Sequence, residues 1–172
     1  MRTVHVTVVP YDSKWPQEFQ RIVNSLPLVI GSDCERIEHV GSTSVLGLCA
    51  KPVIDSDVVL KRKEDMKAVS AKLADAGYID EGDLGIEGRE AFRYEGKPEL
   101  MSHHLYVCGP DSRELHRHLA FRDYLRKHPD AVREYSDIKK QAASLYPDDI
   151  DGYIAYKSAF IEKIYSICLQ EE

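Results

Sequence analysis

The sequence predicts an α+β fold: a small mixed β-sheet with flanking helices, followed by a helical C-terminal subregion. Three observations predict it. Short runs rich in β-branched residues alternate with amphipathic helical segments over residues 1 to about 110. From about 111 to 170 the apolar residues recur only at helical spacing. Pro129 and Pro147 divide that last stretch into separate helices. With 172 residues, the chain has the length of one domain with a proper core, and residues 1–172 are read as a single domain.

Val4 to Val9 reads as the first strand. Ser13 is placed to cap a helix whose Trp15, Phe19, Ile22, Val23 and Leu26 form one apolar stripe, with Pro16 tolerated in its first turn. Ile37-Glu38-His39-Val40 is a short strand, Gly41-Ser42-Thr43-Ser44 a tight turn, and Val45 to Leu48 the opening of a short helix. Pro52 to Leu60 is a strand, because its β-branched run is too short for a helix. A helix near 62–76 stops at Gly77, and the acidic, glycine-rich segment Glu81 to Gly88 is expected to be a mobile loop. Strands follow around Ala91–Glu95 and His103–Cys108. Asp111 and Glu114 then open, in capping-box fashion, a helix that runs to about Lys127.

The chemistry concentrates near the middle strand. Asp55 and Asp57 lie two apart, so their carboxylates project from one face of the sheet. Two like charges so close need a cation between them, or one stays protonated. Hard oxygen ligands suit Mg²⁺ or Mn²⁺, and Mg²⁺ commonly takes one or two protein carboxylates together with substrate phosphates. Upstream, with twelve residues between Ser42 and Asp55, Gly41 and Ser42 form a turn that lets a phosphate approach the backbone, and amides and hydroxyls there bind anions. Thr43 belongs to the same turn, and Lys51 stands just before the metal strand, where it can meet a phosphate or lie exposed in a loop.

Three C-terminal helices add cations. Arg122, Lys139 and Lys157 each fall within an apolar stripe: Leu115, Leu119 and Leu125 with His118; Val132, Tyr135, Ala142 and Tyr146; Ile150, Tyr153, Ile154, Ile161, Ile164, Tyr165 and Cys168. Any one of them is explained by a snorkelling side chain. All three together point to cations that neutralise a triphosphate, arginine through its fork and lysine as a point charge. His103 and His104 face opposite sides of a strand, which argues against a shared zinc site and leaves His104 to face the carboxylates. Glu90 and Glu95 flank the neighbouring strand as further acids, and Arg89 and Arg93 as substrate contacts. The chain has no P-loop and no hydrolase nucleophile elbow around Ser42.

These residues resemble a known pattern. Glu38-His39-Val40-Gly41-Ser42-Thr43-Ser44-Val45 and Ala50-Lys51-Pro52-Val53-Ile54-Asp55 are similar to the GrpB-like family, also described as a dephospho-CoA kinase/protein folding accessory domain. Pro10-Tyr11-Asp12 with Trp15, His103-His104-Leu105, Phe121 to Leu125, and Tyr153 with Lys157 extend the resemblance over nearly the whole chain. It implies a nucleotidyltransferase fold related to DNA polymerase β, with a helical subregion contributing to the nucleotide site. It also implies a third carboxylate on a nearby strand, where this chain offers His103-His104 instead. The expected function is Mg²⁺-dependent transfer of a nucleotidyl group from a nucleoside triphosphate to an acceptor, with Asp55, Asp57 and His104 as the catalytic set. The alternatives are a non-catalytic nucleotide or CoA-precursor binding module that assists a protein partner, and a metal-dependent phosphohydrolase.

Composition limits the partners. The chain is 43% hydrophobic and 30% charged, with a formal net charge of −6, which argues against nonspecific attraction to nucleic acid or anionic lipid. No apolar run approaches membrane-spanning length, and Met1 to His5 lacks the apolar core of a signal peptide. Cys34, Cys49, Cys108 and Cys168 are scattered without a Cys-x-x-Cys pair, as expected of reduced thiols in a cytoplasmic protein.

Overall fold

The alternation of apolar and charged residues in Ile54-Asp55-Ser56-Asp57-Val58 determines where the core and the charged face lie. This computed structural model describes residues 5–170. Strand β2 (Ile54–Leu60) lies second in a five-stranded sheet of order β1-β2-β5-β4-β3, with β1 (Cys34–Val40), β3 (Tyr78–Asp80), β4 (Arg89–Tyr94) and β5 (His103–Cys108). β2 and β5 run parallel and the other three pairs antiparallel, so the sheet is mixed as the sequence predicts.

The register assigns each side chain to a face. Ile54, Ser56, Val58 and Leu60 share one face with His103, Leu105 and Val107 of β5 and Phe92 of β4, and all are buried. Phe19 of α1 (Trp15–Ser25) stacks on His39, which belongs to that face. Trp15, Ile22, Leu26, Ile30 of the short α2 (Pro27–Ile30) and, from α3 (Met66–Asp75), Val69 and Leu73 are buried in the same unit. Each such aliphatic side chain contributes about 1.5–3 kcal/mol. The opposite face carries Glu38, Asp55, Asp57, His104, Tyr106 and Arg89.

The chain forms two compact units. The sheet unit comprises Lys14–Val40 and Val53–His116; the helical unit comprises the chain up to Ser13, Gly41–Pro52, and the residues from Arg117 onward. The helical unit takes most of α4 (Arg113–Lys127), with α5 (Pro129–Leu145) and α6 (Ile150–Cys168). Its core joins Val45 and Leu48 to Leu125, Val132, Tyr135, Phe160 and Ile164, with the Tyr135 and Phe160 rings stacked at 4.6 Å. A smaller cluster groups Val6, Ala142 and Tyr153. Among the described residues no helix is long and apolar enough to cross a membrane, and all four cysteines are free.

Several local expectations need correction. The strand expected over Val4–Val9 is reduced to an isolated bridge of Val9 with Ala50; Val4 itself lies outside the described residues. Val45 to Leu48 does not begin a helix: Ser42–Ser44 form one 3₁₀ turn, and Gly47 then turns the chain at φ +82°. Burial of Val45 and Leu48, not helix formation, fixes this segment. Lys14, not Ser13, precedes α1 and supplies no side-chain cap. Ser112 replaces Asp111 as the cap of α4, its Oγ accepting from the Leu115 amide at 3.3 Å. In α6 Ile154 is 51% exposed while Phe160, outside the expected stripe, is buried. Gly77, at φ +88°, ends the α3 segment as predicted, and the short strand β3 follows it.

Candidate functional site

In the sheet unit the site is built on β2. Val40 pairs with Asp55 and Glu38 with Asp57 on one side; His104 and Tyr106 pair with the same two residues on the other. In-register partners project from the same face, so three carboxylates, an imidazole and a phenol form one polar patch. Asp57 is 2% exposed, whereas Asp55 is only partly buried. His104 Nδ1 lies 2.9 Å from Asp55 Oδ1. With the carboxylate ionised, Nδ1–H donates and Nε2 is left as a lone-pair acceptor.

Glu38 is the third acid on this face, and Arg36 Nε holds its Oε1 at 3.0 Å. Glu90, considered from the sequence as a further acid, pairs with Val107 and therefore belongs to the opposite face. Burial, followed by the charges of Asp80 and Asp83, raises its pKa above the ordinary range. Glu95 lies beyond the end of β4 and pairs with Arg93 at 2.9 Å. His103 turns away from the carboxylates: Nε2 lies 2.8 Å from the Tyr78 hydroxyl and Nδ1 2.8 Å from the Met101 carbonyl. Burial pushes the His103 pKa down.

The carboxylates suit a divalent cation of one kind. Among the described residues no cluster of three His, Cys, Asp or Glu side chains converges as a metal cage. Two hard carboxylates on one face fit Mg²⁺ or Mn²⁺, which retain water and accept substrate oxygens, far better than a fully enclosed structural zinc.

The helical unit holds the glycine turn and most of the cations. Gly41 has φ +71° and ψ −174°, a conformation open essentially to glycine alone. Lys139 is 2% exposed; its Nζ donates to Ser42 Oγ and, at 3.1 Å, to the Cys49 carbonyl, and it lies 4.8 Å from the Tyr135 ring centroid. Ser136, one turn before Lys139, takes the Cys49 amide at 3.2 Å, and Arg126 makes two bonds to the Ser44 carbonyl at 3.0 and 2.8 Å. The turn is therefore clamped by α4 and α5, with an ammonium delivered onto its first hydroxyl.

Lys51 and Lys157 flank the Tyr153 ring, with Nζ atoms 5.7 and 4.3 Å from its centroid. Tyr153 is fully buried, and its Oη has no hydrogen-bond partner. A buried hydroxyl left this way costs about 1–3 kcal/mol. Two ammonium groups thus lie against the ring that carries this orphaned donor. Thr43 is buried in the turn, and Arg122 Nε donates to Asp123 Oδ1 at 2.9 Å.

Sequence reasoning does not assign Tyr153, Tyr135 or Glu38 to the site. Tyr153 had a signal, because it stands four residues before Lys157 on one helix face. Glu38 lacked one, since only the register shows which residue of β1 meets Asp57.

Comparison with known proteins gives the following matches. The model of the family described as GrpB protein matches residues 5–166. UPF0157 protein YqkA of Bacillus subtilis is 36% identical over 157 residues, covering 91% of this chain and 45% of that protein, so this chain spans less than half of YqkA. A dephospho-CoA kinase of Mycolicibacterium paratuberculosis is 30% identical over 183 residues, covering 93% of this chain and 45% of the kinase. The crystal structure of conserved protein GrpB from Enterococcus faecalis superposes with a TM-score of 0.85 at 36% identity, covering 96% of this chain and 98% of that one. A Cid1 poly(U) polymerase structure bound to MgATP gives a TM-score of 0.56 at 11% identity over 80% of this chain and 44% of Cid1, a likeness of fold alone.

Proposed function

The chain belongs to the GrpB family and has a nucleotidyltransferase-like fold; from that premise we propose that it is a Mg²⁺-dependent nucleotidyltransferase acting on a nucleoside triphosphate. The observation that carries the proposal is the pair Asp55 and Asp57 on one sheet face with His104 bonded to the first of them. Structures of the distant neighbour Cid1 hold MgATP and MgGTP, which supports this donor class.

Asp55 and Asp57 would hold Mg²⁺ or Mn²⁺, which supplies positive charge to the triphosphate when bound. Ser42 and the Gly41 turn bind phosphate oxygens, and Lys139, already on Ser42, adds an ammonium. Lys51, Lys157 and the Tyr153 hydroxyl offer further donors, and Arg122 and Thr43 complete the assigned set. His104 Nε2 accepts the proton of the acceptor hydroxyl while Asp55 fixes its tautomer and balances the imidazolium charge. The acceptor oxygen then bonds to the α-phosphorus as the bond to the bridging oxygen breaks, and pyrophosphate leaves. Such transfer requires chiefly positioning and charge stabilisation.

Incubation with labelled ATP, Mg²⁺ and cell extract tests the proposal: transfer of label that disappears in Asp55→Asn supports it. Saturable Mg²⁺-dependent ATP binding without any transfer supports a second reading, a nucleotide or CoA-precursor binding module. The match to part of a dephospho-CoA kinase favours that second reading. Release of free phosphate or pyrophosphate without an acceptor identifies a hydrolase.

A further inference from the structure

The sheet unit contains a cation that the proposed chemistry leaves unused. Arg89 opens β4 opposite Cys108, which puts it on the face of Tyr106, Asp57, Asp55 and His104. It is 9% exposed, and its guanidinium carbon lies 4.3 Å from the Tyr106 ring centroid. Its Nε is buried without a hydrogen-bond partner, and among the described residues no carboxylate lies within ion-pair distance of it. Arg36 and Arg93 on the same face each engage a glutamate, at 3.0 and 2.9 Å.

Burial of a guanidinium without a bonded anion is costly, and a chain that retains one has a use for it. Tyr106 offsets part of the cost through its ring face and holds the guanidinium plane. That leaves the N–H fork, the geometry that pairs with two oxygens of a carboxylate or phosphate. Tyr106 is only partly buried, so the stack is open along one edge. Asp57 lies on the same face two strands away, in register with Tyr106, yet Arg89 makes no ion pair with it. The fork is therefore kept from the acids of its own face.

We infer that Arg89, stacked on Tyr106, is an oxyanion subsite for a phosphate or carboxylate group of the acceptor substrate. The word acceptor rests on the nucleotidyltransferase reading; the oxyanion subsite does not. The acceptor class is then an anionic small molecule bearing a nucleophilic hydroxyl, held by its charged end at Arg89 while the hydroxyl meets His104.

The test follows the Arg89 Nε–Hε signal in ¹⁵N-labelled, assigned protein, without metal or nucleotide, during titration with inorganic phosphate and, separately, succinate. The expected result is a saturable shift of that signal with one or both anions. The same shift is expected in Asp55→Asn and Lys139→Met, which separates this subsite from the metal and from the lysine cluster. Whichever anion binds more tightly identifies the acceptor's charged group. Arg89→Lys keeps the charge but loses the fork, and calorimetric titration with the anion that binds the wild type is expected to show binding weakened at least tenfold. A signal that does not move with either anion in the wild-type protein overturns the inference, whatever the outcome for nucleotide transfer.

Discussion

Replacing Lys139 by Met separates the binding role of this residue from its structural one. Lys139 is almost completely buried and bonded to Ser42 Oγ and the Cys49 carbonyl. Methionine keeps the aliphatic stem and removes three donors. The Cys49 carbonyl left unsatisfied costs about 1–3 kcal/mol, but the cost of burying an ammonium, of several kcal/mol, disappears at the same time. These terms oppose each other, so stability is expected to change by no more than about 2 kcal/mol in either direction. No such offset exists for a bound phosphate. Loss of one charge-assisted bond of about 1.5–3 kcal/mol weakens binding roughly ten- to a hundredfold. Calorimetric titration of MgATP into both proteins, alongside urea midpoints, reads the two quantities separately. Equal affinity for MgATP in wild type and Lys139→Met would refute the assignment of this lysine to phosphate.

Tyr153→Phe removes the orphaned hydroxyl, so the free protein is expected to keep or gain about 1 kcal/mol in a thermal melt while MgATP binding weakens. A clear loss of stability with unchanged binding contradicts the role assigned to that hydroxyl. Gly41→Ala forces a Cβ into a glycine conformation and is expected to cost about 1–3 kcal/mol in urea unfolding; a neutral result contradicts it. His103 is held below its ordinary value of 6.5 by burial, so the unfolded chain binds its proton first. Its contribution to stability is therefore complete above pH 6.5 and is lost as pH falls below that value. The slope of urea midpoint against pH should flatten in His103→Gln, and an unchanged slope argues against this source. Burial lifts the Cys108 thiol to about 12, so reaction with a thiol reagent at pH 8 should be slow until the protein is unfolded.

Much of the fold was legible because its signals are local. The alternation in β2 assigned Asp55 and Asp57 to one face, and adjacency in β5 separated His103 from His104. The cations on apolar stripes were also readable: Lys139 is buried and Lys157 lies on Tyr153, as their positions implied. What failed depended on contacts distant in sequence. Among the described residues the N-terminal run forms one bridge, Val9 with Ala50, in place of the strand its β-branched composition suggests. Val45 and Leu48 look like a helix opening, yet packing against Leu125 and Phe160 fixes them in a turn. Glu38 and Arg89 reached the polar face through register, and register is set by pairing between strands.

Asp55 and Asp57 are assigned here to hold the metal of a metal–nucleotide complex. The most direct measurement of that role is calorimetric titration of ATP with and without Mg²⁺, in wild type and in Asp55→Asn, with circular dichroism to verify the fold. Saturable binding that requires Mg²⁺ is expected in the wild type, and its loss in the folded variant. Binding of equal affinity in both proteins, or binding indifferent to Mg²⁺, would contradict the assignment.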